Sequence, residues 1–139
     1  MTSQVEYKGN LRTEATHLQS GSLIETDAPT DNNGKGERFS PTDIVATALG
    51  SCMLTMMGMK AETMNIDLTG TKLNVKKIMA ANPRRISGIQ IAFQFPDTLQ
   101  LSEKEQSVLE HTAHTCPIGK SLHPDVAVEV NFGWNEMAG

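Results

Sequence analysis

Hydrophobic residues change their spacing from segment to segment along this chain, and the spacing predicts the secondary structure. Segments of alternating or β-branched apolar residues, separated by turn signals, indicate strands. Longer segments with apolar residues at helical spacing indicate helices. The predicted strands are a hairpin with arms at 4–18 and 22–27, two strands at 66–81 and 85–96, and a last strand through Val126, Val128, Val130 and Phe132. The predicted helices run from 41 to about 64, from 103 to about 114, and over a short turn at 117–121.

The first helix has a clear start signal. Ser40 is a good N-cap, Pro41 suits the first helical position, and Asp43 lies where a capping box places an acidic side chain. Apolar residues nearly encircle this helix, so we expect it to be buried on most sides. Gly50 and Gly58 would let a neighbouring element approach its backbone closely.

The second helix starts in a similar way, since Ser102 is followed three residues later by Glu105. Asn82 and Pro83 form the turn between the two preceding strands. The resulting order, ββαββαβ, predicts an α+β domain in which helices pack against antiparallel sheet. With 139 residues, the chain is expected to form a single domain over 1–139.

Composition and charge exclude several classes of function. A formal net charge of −4 gives no basic surface for nucleic acid, so no nucleic-acid partner is predicted. The most apolar segment, 44–59, contains glycines and hydroxyl residues and falls short of the roughly 20 apolar residues that cross a membrane. No secretory signal precedes the first polar segment. We therefore expect a cytoplasmic protein with no membrane partner, where cysteines are more often catalytic or metal-bound than paired in a structural disulfide.

The chain has two cysteines, Cys52 and Cys116. Cys52 lies about twelve residues into the first helix, where the positive end of the helix dipole has no effect. Cys116 precedes Pro117, which makes it a predicted N-cap near free amide groups. Local sequence therefore favours Cys116 as the more acidic thiol. For each cysteine the alternative is a small buried core residue.

Metal binding is the competing chemistry for this part of the chain. The candidate ligands are His111, His114, Cys116 and His123. Their spacing matches no common zinc pattern, and histidines on the surface are the simpler interpretation. We predict no metal and no cofactor.

The cysteines and their neighbours resemble the osmotically inducible protein C / organic hydroperoxide resistance family, OsmC/Ohr. The resemblance is carried by the helix start Ser40–Ile44, the pair Cys52-Met53 in a Gly/Ala-rich helix, and Cys116-Pro117 at a later helix end. The N-terminal stretch from Tyr7 to His17 is also similar to the family. The resemblance covers nearly the whole chain and is closer to the OsmC-like branches than to the core organic hydroperoxide enzymes.

The resemblance implies an intertwined homodimer with antiparallel sheets around two central helices. It also implies a thiol peroxidase whose substrate is a hydroperoxide. Cys52 would attack the peroxide and become a sulfenic acid, and Cys116 would condense with it to a disulfide. Arg12 would stabilise the attacking thiolate, and a dithiol reductant, such as a lipoyl group, would restore the two thiols.

One position departs from the family pattern. The peroxidase branch has a glutamate directly after the proline of the helix start, whereas this chain has Thr42. Candidates for a supporting role near Arg12 are therefore Thr42 itself, Asp43, Glu37 and Glu14, although the capping box already accounts for Asp43. The departure also motivates a second function, a thiol-based redox sensor or small-ligand binding protein without efficient turnover.

Overall fold

A computed structural model describes residues 1–134 of the chain. The strands are β1 Ser3–Gly9, β2 Arg12–His17, β3 Leu23–Asp27, β4 Lys72–Ala80, β5 Arg85–Gln94 and β6 Ala127–Asn131. The helices are α1 Pro41–Thr63, α2 Glu103–Ala113 and the short α3 Pro117–Ser121, with a 3₁₀ turn at Thr30–Asn32. The α+β class is confirmed, with one strand more than the sequence predicts. The chain divides into two compact units, Met1–Val45 and Ala46–Gly139.

The extra strand lies in the first unit, where the predicted arm 4–18 is two strands. β1 and β2 pair antiparallel and are joined by a tight turn at Asn10 and Leu11, both with positive φ. Such turns match the twist of the two strands and favour Gly and Asn near their centre. The Gly9-Asn10 dipeptide indicates such a turn, but the predicted arm 4–18 was taken as one strand without it. β3 pairs antiparallel with β2 and completes a sheet in the order β1-β2-β3.

This first sheet has one apolar face and one charged face. Val5, Ala15 and Ile24 are partners across the three strands, so their side chains share a face. Glu6, Glu14 and Glu25 are partners in the adjacent row and lie on the opposite face. Val5 and Ile24 are exposed. The apolar face is therefore uncovered within the first unit.

The second unit contains a mixed sheet in the order β4-β5-β6. β4 and β5 pair antiparallel through a turn that includes the Asn82-Pro83 bond, as predicted. β6 pairs parallel to β5, whereas the sequence analysis expected only antiparallel strands. The connection explains this pairing. α2 and α3 follow β5 and precede β6 in the sequence, and a connection of this length can return a strand in the same direction.

α1 and α2 pack against this sheet and form the core of the second unit. The buried stripe of α1 includes Leu49, Met53 and Met57, which cluster with Ile89 of β5 and Leu109 of α2. The prediction that α1 is buried on most sides is wrong for the single chain. Met59 is 59% exposed. One stripe of α1 is covered by the core, while other apolar positions of the helix stay half-buried or exposed.

The two glycines of α1 differ in what surrounds them. A β-carbon at Gly50 would lie 2.7 Å from Leu73 and 3.1 Å from Val75, so β4 approaches the helix backbone closely there. A β-carbon at Gly58 would meet nothing within 4 Å among the described residues. The close approach that a glycine permits is therefore confirmed at Gly50, whereas no described residue of the chain makes one at Gly58.

Both predicted capping boxes are present. Ser40 and Asp43 exchange side-chain to backbone hydrogen bonds of 3.0 and 3.1 Å at the start of α1. Ser102 and Glu105 do the same at the start of α2. The predicted buried face of the last strand is only partly right, since Val128 is 40% exposed.

α1 also meets a criterion for membrane helices that the sequence analysis judged unmet. By length and composition it is long and apolar enough to cross a membrane, with a third of the tested segment buried. The core helix of a soluble protein passes the same test. α1 corresponds to such a core helix, because its buried stripe packs in the core of the second unit.

Candidate active site

Cys52 lies on α1, one helical turn after the buried Leu49. Its side chain is half-buried and packs against the core of the second unit. Cys52 is a free thiol. Its position at the margin of the buried stripe gives a thiol that is anchored by packing and still partly accessible.

Cys116 is the N-cap of α3, as the sequence predicts. Pro117 occupies the first helical position, and the Cys116 sulfur accepts a hydrogen bond of 3.3 Å from the Gly119 amide. The side chain is 2% exposed. A β-carbon at Gly119 would lie 3.6 Å from the Cys116 sulfur and 3.7 Å from Leu49, so the first turn of α3 lies against α1.

The fold brings the two thiols near each other. Cys52 and Cys116 are far apart in the sequence, yet they are close enough in the structure for Cys52 to raise the pKa of Cys116. Both are free cysteines. Two neighbouring thiols can form a disulfide when one of them is oxidised, which separated core cysteines cannot do.

The environment of Cys116 reverses its predicted acidity. Burial raises the pKa of this thiol and outweighs the lowering by the Gly119 amide, and the neighbouring Cys52 raises it further. α3 has only five residues, so the dipole at its N-terminus is small. The expectation that Cys116 is an acidic thiol is therefore wrong, because the sequence shows the cap and not the burial.

Arg12 lies in the first unit, at the start of β2, and pairs with Asp27 at the end of β3. Its Nε and Nη2 atoms donate to the two carboxylate oxygens of Asp27 at 2.8 and 2.9 Å. Asp27 was not among the predicted site residues. The hairpin register would have indicated it, because this acidic residue ends β3 directly opposite Arg12, which starts β2.

The environment of this pair favours both charges. Asp27 is 1% exposed, and the Arg12 guanidinium holds the pKa of its carboxyl below the usual range. The pKa of Arg12 is raised in turn, mainly by the hydrogen bond to Asp27. The pair is therefore fully ionised at neutral pH.

The other acidic candidates have different positions. Glu37 accepts a hydrogen bond of 3.3 Å from Nη2 of Arg12. Thr42 and Asp43 make hydrogen bonds with Ser40 at the start of α1. Glu14 is not among the hydrogen-bond or ion-pair partners of Arg12 within residues 1–45.

A cavity of about 300 Å³ lies beside Arg12 and is also lined by Lys8 and Lys35.

The metal alternative finds no matching cluster in the described part of the chain. Within residues 1–134, no group of three or more His, Cys, Asp or Glu side chains is placed to hold a metal ion. His114 instead makes an edge contact with the ring of Phe132.

Comparison with known proteins agrees with this fold. Residues 34–131 match the family described as OsmC-like protein. A crystal structure from Psychrobacter arcticus, of a protein named for an osmotic stress induced and detoxification response, is 54% identical, with 94% of each chain covered and a TM-score of 0.90. No functionally curated protein matches the sequence.

More distant structures share the fold alone. An OsmC-like protein of unknown function from Vibrio cholerae is 17% identical, with 92% of this chain and 96% of the other covered and a TM-score of 0.76. An organic hydroperoxide resistance protein OsmC from Legionella pneumophila is 17% identical, with 94% and 96% covered and a TM-score of 0.72. The family match over more than half of the sequence and the 54% identical structure lead to one conclusion: the chain belongs to the OsmC-like protein family.

Proposed function

We propose that this protein is a thiol-dependent peroxidase that reduces organic hydroperoxides or hydrogen peroxide. The observation that carries the proposal is the proximity of two free thiols, one half-buried and one buried, that come from distant parts of the chain. Distant structures of the same fold are named for organic hydroperoxide resistance, which agrees with this chemistry.

The reaction has three balanced steps. The Cys52 thiolate attacks the terminal peroxide oxygen, the O–O bond breaks, an alcohol leaves, and Cys52 becomes a sulfenic acid. The Cys116 sulfur then attacks the sulfenic sulfur, which forms a disulfide and releases water. A dithiol reductant, such as a lipoyl group, reduces the disulfide to two thiols and is itself oxidised to a disulfide.

The two thiols have different roles because their surroundings differ. Cys116 is buried and its pKa is raised, so it stays protonated at neutral pH and is the poorer candidate for the attack on peroxide. Cys116 is therefore assigned the resolving step. Cys52 is the more accessible sulfur and is assigned the attack on peroxide. Arg12 is assigned the role of cation for the Cys52 thiolate.

We further propose that the protein is a cytoplasmic homodimer. The first sheet leaves an apolar face uncovered within its own unit, and α1 carries exposed apolar residues such as Met59. A second copy of the chain would cover such surfaces.

The proposal is tested by peroxide titration of the reduced protein. We expect cumene hydroperoxide to remove both thiols and to form an intramolecular Cys52–Cys116 disulfide, detected by peptide mass spectrometry. With dihydrolipoyl reductant, the wild type should consume peroxide catalytically. Cys52→Ser should consume none, and Cys116→Ser should accumulate a Cys52 sulfenic acid that dimedone traps.

The outcomes separate the candidate functions. Undiminished peroxide turnover in Cys52→Ser would contradict the assignment of the nucleophile. Formation of the disulfide without catalytic turnover, under several dithiol reductants, would favour the redox sensor instead.

A further inference from the structure

Cys116 has a structural role in addition to its proposed role as resolving thiol. It is the N-cap of α3, and its sulfur accepts the hydrogen bond of 3.3 Å from the Gly119 amide. Amides in the first turn of a helix have no carbonyl of the helix itself to donate to. The Cys116 sulfur therefore provides the acceptor that the start of α3 needs.

α3 is held only weakly by the rest of the second unit. It has five residues, and none of them is buried. Ile118 is half-buried and packs against the core, while the other four residues are exposed. A helix this short has no stability of its own in water. The cap at Cys116 is therefore a substantial part of what keeps α3 folded.

Cys52, by contrast, lies on an anchored element. α1 has 23 residues, and its buried stripe fixes it on the core of the second unit. A disulfide holds two sulfurs about 2 Å apart, whereas unbonded atoms stay roughly 3.5 Å apart or more. A bond between the two cysteines therefore requires a sulfur to move by more than about 1 Å. Because packing anchors α1 and not α3, the displacement falls mainly on Cys116.

The Gly119 amide and Cys52 thus compete for one sulfur. Hydrogen bonds weaken steeply with distance and misalignment, so a shift of about 1 Å towards Cys52 breaks a bond that starts at 3.3 Å. The first turn of α3 then loses its cap. Segments with few buried contacts are the ones that open locally when such a bond is lost.

We propose that α3 is a redox-sensitive switch, which is capped while Cys116 is a free thiol and opens when Cys116 bonds to Cys52. The inference rests on the disulfide of the proposed function and requires no catalytic turnover. The two thiols lose two electrons and two protons to the oxidant as the bond forms, and a dithiol returns them. The competing interpretation is that α3 keeps its structure in both states.

Limited trypsin digestion tests the switch, because Lys120 is exposed and lies inside α3. The reduced protein is compared with the disulfide form made with diamide and confirmed by intact mass. We expect cleavage after Lys120 to be roughly 5-fold faster in the disulfide form, as for the loss of one N-cap. Lys104 is the matched control, since it lies in the first turn of α2, which Ser102 caps, and its cleavage rate should not change. Equal rates after Lys120 in the two forms would overturn the inference.

Two substitutions at Cys116 separate the cap from the disulfide. Cys116→Ser keeps an N-cap acceptor but cannot form the bond, so cleavage after Lys120 should stay slow with or without diamide. Cys116→Ala removes the acceptor, so cleavage should be fast in both conditions. An alanine variant with the rate of the reduced wild type would show that the sulfur does not hold α3.

Amide hydrogen exchange of the wild-type protein needs no substitution. The Gly119 amide should exchange roughly 5-fold faster in the disulfide form, whereas the Glu105 amide, which donates to Ser102, should keep its rate. Unchanged protection of Gly119 would contradict the switch. A disulfide that forms with diamide but not with peroxide would contradict the peroxidase alone, and the absence of any disulfide under diamide would contradict both.

Discussion

Cys116 is subject to opposing local effects, and their balance decides its chemistry. The amides of Ile118 and Gly119 lower the pKa of the thiol, as its N-cap position suggests. Burial raises it by more, and the neighbouring Cys52 raises it further. At the residue scale, burial therefore outweighs the N-cap position, and the Cys116 thiol stays protonated at neutral pH.

This balance predicts a pH dependence of stability. The pKa of Cys116 is raised in the folded state, so the protonated thiol is favoured there and its contribution is fully present below the unfolded pKa of about 8.5. The contribution is lost as pH rises through the folded pKa. We expect the free energy of unfolding of the wild type to fall relative to Cys116→Ala above about pH 8.5, measured by urea unfolding under reducing conditions from pH 7 to 10. A constant difference over that range would contradict the raised pKa.

At the scale of elements, α1 carries both Cys52, the proposed nucleophile, and the contact with the second sheet. Its buried stripe fixes the helix on the core, and Gly50 lets β4 approach one turn before the next buried residue, Met53. The half-buried Cys52 lies beside this stripe. The packing that holds α1 on the core therefore also fixes the position of the Cys52 thiol.

A matched pair of glycine substitutions tests this packing. Gly50→Ala gains about 1 kcal/mol of helix propensity, but its methyl group meets Leu73 and Val75, and overpacking costs about 1–3 kcal/mol. We expect a net loss of stability. Gly58→Ala meets no described atom within 4 Å and should be more stable by up to about 1 kcal/mol. Urea unfolding of both variants measures the signs, and stabilisation by Gly50→Ala would contradict the close approach of β4.

At the scale of the whole molecule, the uncovered apolar face of the first sheet is the feature that a single chain does not explain. Val5 and Ile24 share this face and are exposed, while the opposite face carries the acidic row. An exposed apolar sheet face favours association with another surface. The proposed homodimer provides that surface.

The proposed dimer makes a direct prediction for this face. Ile24→Glu places a charge in the apolar face and should shift the protein to monomer, because an unpaired charge in an interface is costly to desolvate. Leu18→Glu makes the same chemical change in the turn between β2 and β3 and should leave the dimer intact. Sedimentation velocity over a range of concentrations measures both, and a dimeric Ile24→Glu would show that this face is not the interface.

The sequence by itself determined the features that depend on neighbouring residues. The caps at Ser40 and Ser102, the proline turn after Asn82 and the N-cap position of Cys116 are each specified within about four residues. Their hydrogen bonds form locally, whatever the rest of the chain does. The family resemblance added the proposed nucleophile, Cys52, and its proposed partner, Arg12, through motifs that are also local.

Only the tertiary structure decided the features that depend on which distant segments meet. Three features depend on strand register and helix packing: the parallel pairing of β6, the proximity of Cys52 and Cys116, and the paired hydrogen bonds between Arg12 and Asp27. Burial belongs with them, since the acidity of Cys116 followed from what covers it and not from its cap. Proximity and desolvation arise only when the core forms, because a local sequence pattern does not specify which distant residues will surround it.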